Sequence, residues 1–137
     1  MVKKFGNTKL ILSSIFPFKK YISMSMFGLI FWRIERKTML ADPRYADYVN
    51  IVINHEKIHT EQMKDFALPF FFFRPLQIII GGIIFYIIYF LNWLINLIIM
   101  PDKAYRNICF EKEAYNHEKD MEYIENRKHF QFLRKEK

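Results

Sequence analysis

Four patterns of apolar and polar residues follow one another along the chain, and each predicts an element. Residues 21–34 (YISMSMFGLIFWRI) are rich in β-branched and aromatic side chains, and Ser23 and Ser25 alternate with apolar neighbours. That alternation predicts a strand with a bulge at Gly28. Residues 35–46 (ERKTMLADPRYA) turn polar, and Asp42-Pro43 marks a turn or a helix start. Residues 47–66 carry apolar positions at Ile51, Ile58, Met63 and Phe66 with no Gly or Pro, which predicts a helix. Pro69 and Pro75 then interrupt the chain around Phe70–Phe73 and Arg74. Residues 76–100 contain no charge and stop at Pro101-Asp102. Residues 103–134 again lack Gly and Pro and read as one or two helices. The fold class expected is α+β and mostly α. A short N-terminal β-sheet lies beside a central helix, followed by an apolar helical segment and a C-terminal helix.

The chain has 137 residues, enough for a single domain spanning 1–137. With Gly 4 and Pro 5 in a composition that is 52% hydrophobic, collagen-like and disordered readings are excluded. Cys109 is the single cysteine, so neither a disulfide scaffold nor a zinc finger fits. Any metal must sit on histidine and carboxylate ligands. The mean hydropathy of -0.04 conceals the apolar run, because its flanks are heavily charged. That run is long enough to cross a bilayer as a helix, and a lipid bilayer is the expected partner.

The formal net charge of +7 is concentrated at the start of the chain. Residues 1–20 hold Lys3, Lys4, Lys9, Lys19 and Lys20 and no acid, whereas the rest is nearly balanced. This basic segment is either a solvated start or a patch drawn to anionic head groups. Its apolar stretch is short and no small-residue cleavage site follows, so it does not read as a signal peptide. No nucleic-acid-binding motif appears, and none is expected as partner.

His55-Glu56-Lys57-Ile58-His59 is an HExxH sequence inside the predicted helix. Four residues make about one helical turn, so both imidazoles project from one face, where they can bind one Zn²⁺. Glu56 lies about 100° around the helix from His55 and can reach water on the metal without being a ligand. Zinc acidifies that water and the carboxylate takes its proton. The competing reading is a pair of solvated histidines.

A third ligand decides between them, because a catalytic zinc usually has three protein ligands plus water. Phe110-Glu111-Lys112-Glu113-Ala114-Tyr115 lies in a predicted helix downstream and offers the carboxylate. HExxH followed by Glu-x-x-Ala on a later helix resembles the gluzincin metallopeptidases, in particular membrane gluzincins such as HtpX and the CAAX prenyl protease. There the pattern is Glu-x-x-Ala-Asp and its glutamate is the third zinc ligand. The resemblance implies Glu111 in that role, with Glu113 as the alternative. Tyr115 stands where those families have an Asp that supports a zinc-ligating histidine, which leaves that supporting role open. The runs MFGLIFWR, NHEKIHTEQM and KAYRNICFEKEAYNHEKDMEYIENRK also resemble a group of small Bacteroidetes metallopeptidase-like membrane proteins, over residues 17–134. The resemblance implies a membrane-associated zinc metallopeptidase acting on a peptide or protein, in the bacterial inner membrane. The alternative is a non-catalytic, membrane-anchored zinc-binding module or metal sensor.

Other residues carry smaller expectations. Gln62, seven after His55, shares its face and can bond a ligand or a core group. Asn54 reads as surface or as support for the site. Tyr105 and Tyr115 can donate to an oxyanion, support a ligand from behind or pack as aromatics. His117 and His129 read as surface histidines. The strand at 21–34 can take an extended substrate by strand addition.

One constraint limits the topology. His59 and Glu111 must both come within about 2.2 Å of one zinc, yet the apolar segment lies between them. A single crossing at about 1.5 Å per residue would hold them over 30 Å apart. Three arrangements escape this. The segment lies in the interface or re-enters, it forms a hairpin with residues 66–73 broken at Pro69, Pro75 or Gly81-Gly82, or it is a core helix of a homo-oligomer. Tyr89, Asn92 and Asn96 share one face that should look at protein, with the isoleucine-rich remainder facing lipid.

Overall fold

In a computed structural model of the chain, which describes residues 2–16, 20–67 and 74–134, strands begin where the sequence suggested only a basic segment. Val2–Phe5 (β1) and Thr8–Ser13 (β2) form an antiparallel hairpin. Gly6, with φ +53°, takes the first loop position, as a type II′ turn requires. The lysines masked a period-two pattern in which Leu10 and Leu12 are buried and Lys9 is exposed. Lys4 and Lys9 face one another across the pair.

The strand expected at 21–34 is a second hairpin, Ser23–Met26 (β3) and Leu29–Arg33 (β4). Gly28 belongs to its two-residue turn and not to a bulge. Phe27 and Gly28 both have positive φ, 49° and 75°, which is the type I′ signature. The sheet order is β1-β2-β4-β3, with β2 and β4 parallel, so β3 is an edge strand. Leu10, Leu12, Ile30 and Trp32 line one face and pack on Val49 and Ile53 of the next helix.

That helix, α1 (Ala46–Asp65), covers the predicted segment. A 3-10 turn at Pro43–Tyr45 leads into it, and the Asp42 carboxylate accepts the Arg44 N–H there, which is what Asp-Pro signalled. α1 buries more than one stripe. Val49 and Ile53 meet the sheet, Met63 joins the second core cluster, and Gln62 and Asp65 are buried among polar groups.

α2 (Arg74–Ile99) is one uninterrupted helix of 26 residues, long and apolar enough to cross a membrane. The breaks considered at Pro75 and Gly81-Gly82 do not occur, so no re-entrant turn forms within it. Pro75 sits in the first turn, where its missing N–H leaves no bond unmade. The glycines serve close packing instead. A Cβ on Gly81 would lie 2.6 Å from the Met63 carbonyl oxygen, and one on Gly82 would overlap the Phe27 ring. Pro69 and the phenylalanine run at 70–73, the other arm of the expected hairpin, lie outside the described residues.

Beyond α2 the chain doubles back. A 3-10 turn at Pro101–Lys103 leads to α3 (Cys109–His117), whose first N–H donates to Asn92 Oδ1 at 2.8 Å. The expected long helices at 103–134 are shorter pieces: α3, α4 (Tyr123–Asn126) and a 3-10 turn at Gln131–Leu133. Because both α1 and α3 run alongside α2, His59 and Glu111 meet beside its middle. The separation forced by a single crossing is thus avoided without breaking the helix.

Candidate metal centre

α1 presents His55 and His59 one turn apart, and α3 swings Glu111 against them. The two Nε2 atoms are 3.1 Å apart. Glu111 Oε2 lies 3.3 Å from His55 Nε2, and Oε1 lies 3.3 Å from His59 Nε2. Ligands held about 2.0–2.1 Å from a tetrahedral metal are themselves about 3.3 Å apart. Among the described residues these three form a group that can hold a metal ion. Glu111 Oε2 is buried and has no hydrogen-bond partner, an unmade bond that a cation at this point would satisfy.

The remaining atoms of the group are held from behind. His59 Nδ1 lies 2.8 Å from Gln62 Oε1, and His55 Nδ1 lies 2.8 Å from Glu118 Oε2. Each acceptor requires N–H at Nδ1, so Nε2 is the nitrogen turned toward the centre. Glu118 is thus the acid behind His55, a place where Tyr115 offers no acceptor but a ring contact. The sequence reading missed it, although it lies seven residues after Glu111, two turns along the same face. Asn54 places it: its amide donates to the carbonyls of Glu118 at 3.0 Å and Asp120 at 2.9 Å, closing the end of α3.

Glu113, the alternative third ligand, points elsewhere. Its Oε1 accepts from Tyr123 and from Arg127 Nε, and its Oε2 from Gln62 Nε2 at 3.0 Å and Arg127 Nη2 at 3.2 Å. Arg127 also grips Asp65 through two bonds, 3.1 and 2.8 Å long. Two residues apart on a helix means about 200° of rotation, so only one of the pair can face the histidines. Gln62 bridges the two sides and is fully buried. His129 is exposed, as expected, with Nδ1 3.0 Å from Asp65. His117 is only half-buried and stacks on Tyr123.

Tyrosines surround the carboxylate. Tyr89 of α2 and Tyr105 both donate to Glu111 Oε1, at 2.7 and 2.9 Å. Tyr105 therefore braces a candidate ligand, the supporting use expected as an alternative to an oxyanion contact. Tyr115 lays its ring against His55, centroids 4.8 Å apart, with the Arg106 guanidinium over its other side. Tyr21 packs on Tyr105 and also lines a cavity of about 470 Å³ with Ile22, Arg33 and Arg36. Phe85 of α2 lies edge-on to His59.

Glu56 turns toward the sheet, where Ser23 Oγ donates to its Oε1 at 2.7 Å. Burial pushes this carboxyl up, against the pull of His59, His55 and Ser23. Burial also works against charge on His59, but the Glu111 carboxylate beside it outweighs that and pushes the imidazole up to about 9. Glu111 is buried too, yet His59 and His55 hold it well below the usual carboxylate range. A bound cation would take over the role of that proton. No protein-family model, no curated protein and no solved structure matches this chain.

Proposed function

We propose that the protein is a zinc-dependent metallopeptidase of gluzincin type, held to a bilayer by α2. The observation that carries the reading is the convergence of His55 Nε2, His59 Nε2 and the partnerless Glu111 Oε2 at tetrahedral spacing. Two imidazoles and one carboxylate suit zinc among the common metals. When bound, zinc supplies a Lewis acid and an acidified water.

The chain's own groups supply the rest. Ser23 fixes Glu56 Oε1, so the other carboxylate oxygen is left to accept a proton from water and pass it to the leaving amine. A carboxyl pushed up by burial is the stronger base for that transfer. Tyr105 is committed to Glu111, so Tyr115 is the better oxyanion donor of the pair. Chiefly burial pushes its hydroxyl up to about 12, which keeps the proton on it. The edge strand β3 and the cavity beside Tyr21 offer an extended peptide its seat.

A second reading, a non-catalytic zinc-binding module or metal sensor, is favoured by one observation. The His55 and His59 side chains are only 12% and 9% exposed, and Glu111 2%. One experiment separates the two. Metal content and cleavage of an unfolded protein are measured for the parent, His59→Ala and Glu56→Gln. The peptidase carries stoichiometric zinc, loses it in His59→Ala, and in Glu56→Gln keeps zinc while turnover falls about 10²–10⁴-fold. Zinc without cleavage in the parent selects the binding module. Absence of zinc in the parent removes both.

A further inference from the structure

Resting on the reading of α2 as a bilayer contact, we propose that α2 lies in the plane of one anionic leaflet instead of crossing it, with the metal centre carried above the membrane surface. At 1.5 Å per residue α2 is about 39 Å long. Leu76, Ile79, Ile83, Ile87, Phe90 and Ile98 are all exposed along it, so the uncovered apolar face runs its full length. The opposite face is covered by the domain at Gly81, Gly82 and Phe85. A crossing would demand that both ends emerge into water while the middle sits in hydrocarbon. The middle is where the polar site is attached. Phe85 touches His59, Tyr86 donates to the Ser25 carbonyl, and Tyr89 donates to Glu111. These residues lie at least about 15 Å from either end. Lys57 of α1 and Lys112 of α3 sit on the helices packed there, and a crossing would drag them into lipid. An in-plane helix leaves them in water while its apolar face enters the leaflet.

The ends of α2 carry matching charge. Arg74 opens the helix, Lys64 lines a cleft with Ile78 near that end, and Lys103 and Arg106 stand past the other. The acids there are Asp102 and Glu61, the latter paired with Lys64. Net positive charge at both ends fits one headgroup layer of anionic lipid. It opposes a second copy as the occupant. In an antiparallel pairing of two α2 faces Arg74 of each copy meets Lys103 and Arg106 of the other, and in a parallel one like ends meet.

Nitroxide labels on single cysteines at Ile79, Ile87 and Ile98, with Cys109 replaced by Ala, test this on the full chain. Vesicles of phosphatidylcholine with a quarter phosphatidylglycerol are used, and depth is read from oxygen and nickel-chelate accessibility. All three labels should report one shallow depth. Binding should be at least about tenfold tighter than to phosphatidylcholine alone, and weaken with salt. A label at Ile87 near the bilayer centre, with Ile79 and Ile98 at opposite surfaces, overturns the proposal. So does a label-to-label distance between copies with no lipid contact, or equal binding to neutral vesicles. Zinc content of the same samples keeps this outcome separate from the peptidase reading, since an in-plane helix with a metal-free site sinks only the latter.

Discussion

Glu111 and Glu113 stand two residues apart on α3, equally buried, and face opposite clusters. Glu113 is saturated: Gln62, Tyr123 and Arg127 fill both its oxygens, and Arg127 joins it to Asp65. Glu111 has one oxygen held by two tyrosines and the other bare, aimed at a histidine. The difference teaches that burial and sequence spacing do not tell a metal ligand from a structural acid, whereas hydrogen-bond accounting does. A buried carboxylate whose donors are all supplied by the fold has no room for a cation.

The comparison breaks most sharply on alanine. Glu113→Ala should leave Tyr123, Gln62 and the Arg127 Nε without their buried acceptor and cost about 3–5 kcal/mol of stability, read by urea denaturation in chelator, while a folded fraction still binds zinc. Glu111→Ala should lose stoichiometric zinc, and without metal it should cost less stability than Glu113→Ala, since only Tyr89, Tyr105 and His59 lose their acceptor. If the two variants exchange these phenotypes, the assignment of ligand and strut is inverted.

The outer contacts sharpen it at smaller cost. Glu118→Ala and Gln62→Leu should each weaken zinc binding about 10–100-fold by freeing an imidazole, measured by competition with a chromogenic chelator. Unchanged affinity in both would show that these acceptors do not orient the histidines.

Acidity acts on Glu111 and His59 together. In the metal-free chain the His59 imidazole titrates at about 9, above its ordinary 6.5. Its contribution to stability is present below that ordinary value and lost as pH rises through about 9. The depressed Glu111 contributes stability above its ordinary 4.5, lost as pH falls. Zinc must displace the His59 proton, so affinity should fall about tenfold per pH unit below 9. An NMR titration of His59 should show the shift and Glu111→Gln should reverse it. A parent His59 that titrates near 6.5 would remove this account. The smallest effect expected is for Tyr89→Phe, which leaves Glu111 Oε1 one donor and should weaken zinc about fivefold. No change at all would mean that Tyr105 alone suffices.

Much of this was legible where chemistry is local. HExxH at helical spacing put His55 and His59 on one turn, and charge-free length announced α2. Other features were hidden by competing signals. In β1 and β2 three lysines, Lys3, Lys4 and Lys9, hid the alternation of Leu10 and Leu12 that follows the turn at Gly6. The hairpin at Phe27-Gly28 was obscured because Phe is an unusual residue at positive φ, tolerated here where its ring seats on Gly82. Arg127 and Asp65 are 62 residues apart, and no period links them. Glu118 could have been found, since its spacing from Glu111 repeats that of Gln62 from His55.

Tyr89, Tyr86 and Phe85 have a practical consequence for anyone wishing to handle the protein. A long apolar helix is routinely cut away to yield a soluble fragment. Here the hydrophobic helix supplies a brace to Glu111, a wall to His59 and a tie to β3. Deleting it would remove Phe85 and expose Met63, Ile108 and Phe110, which pack with it. Solubilisation by surface redesign of Ile79, Ile83, Ile87 and Ile98 would instead preserve every one of those contacts. The apolar helix and the His55–His59–Glu111 cluster are one inseparable piece, so neither could be exchanged, in the laboratory or in evolution, without rebuilding the other.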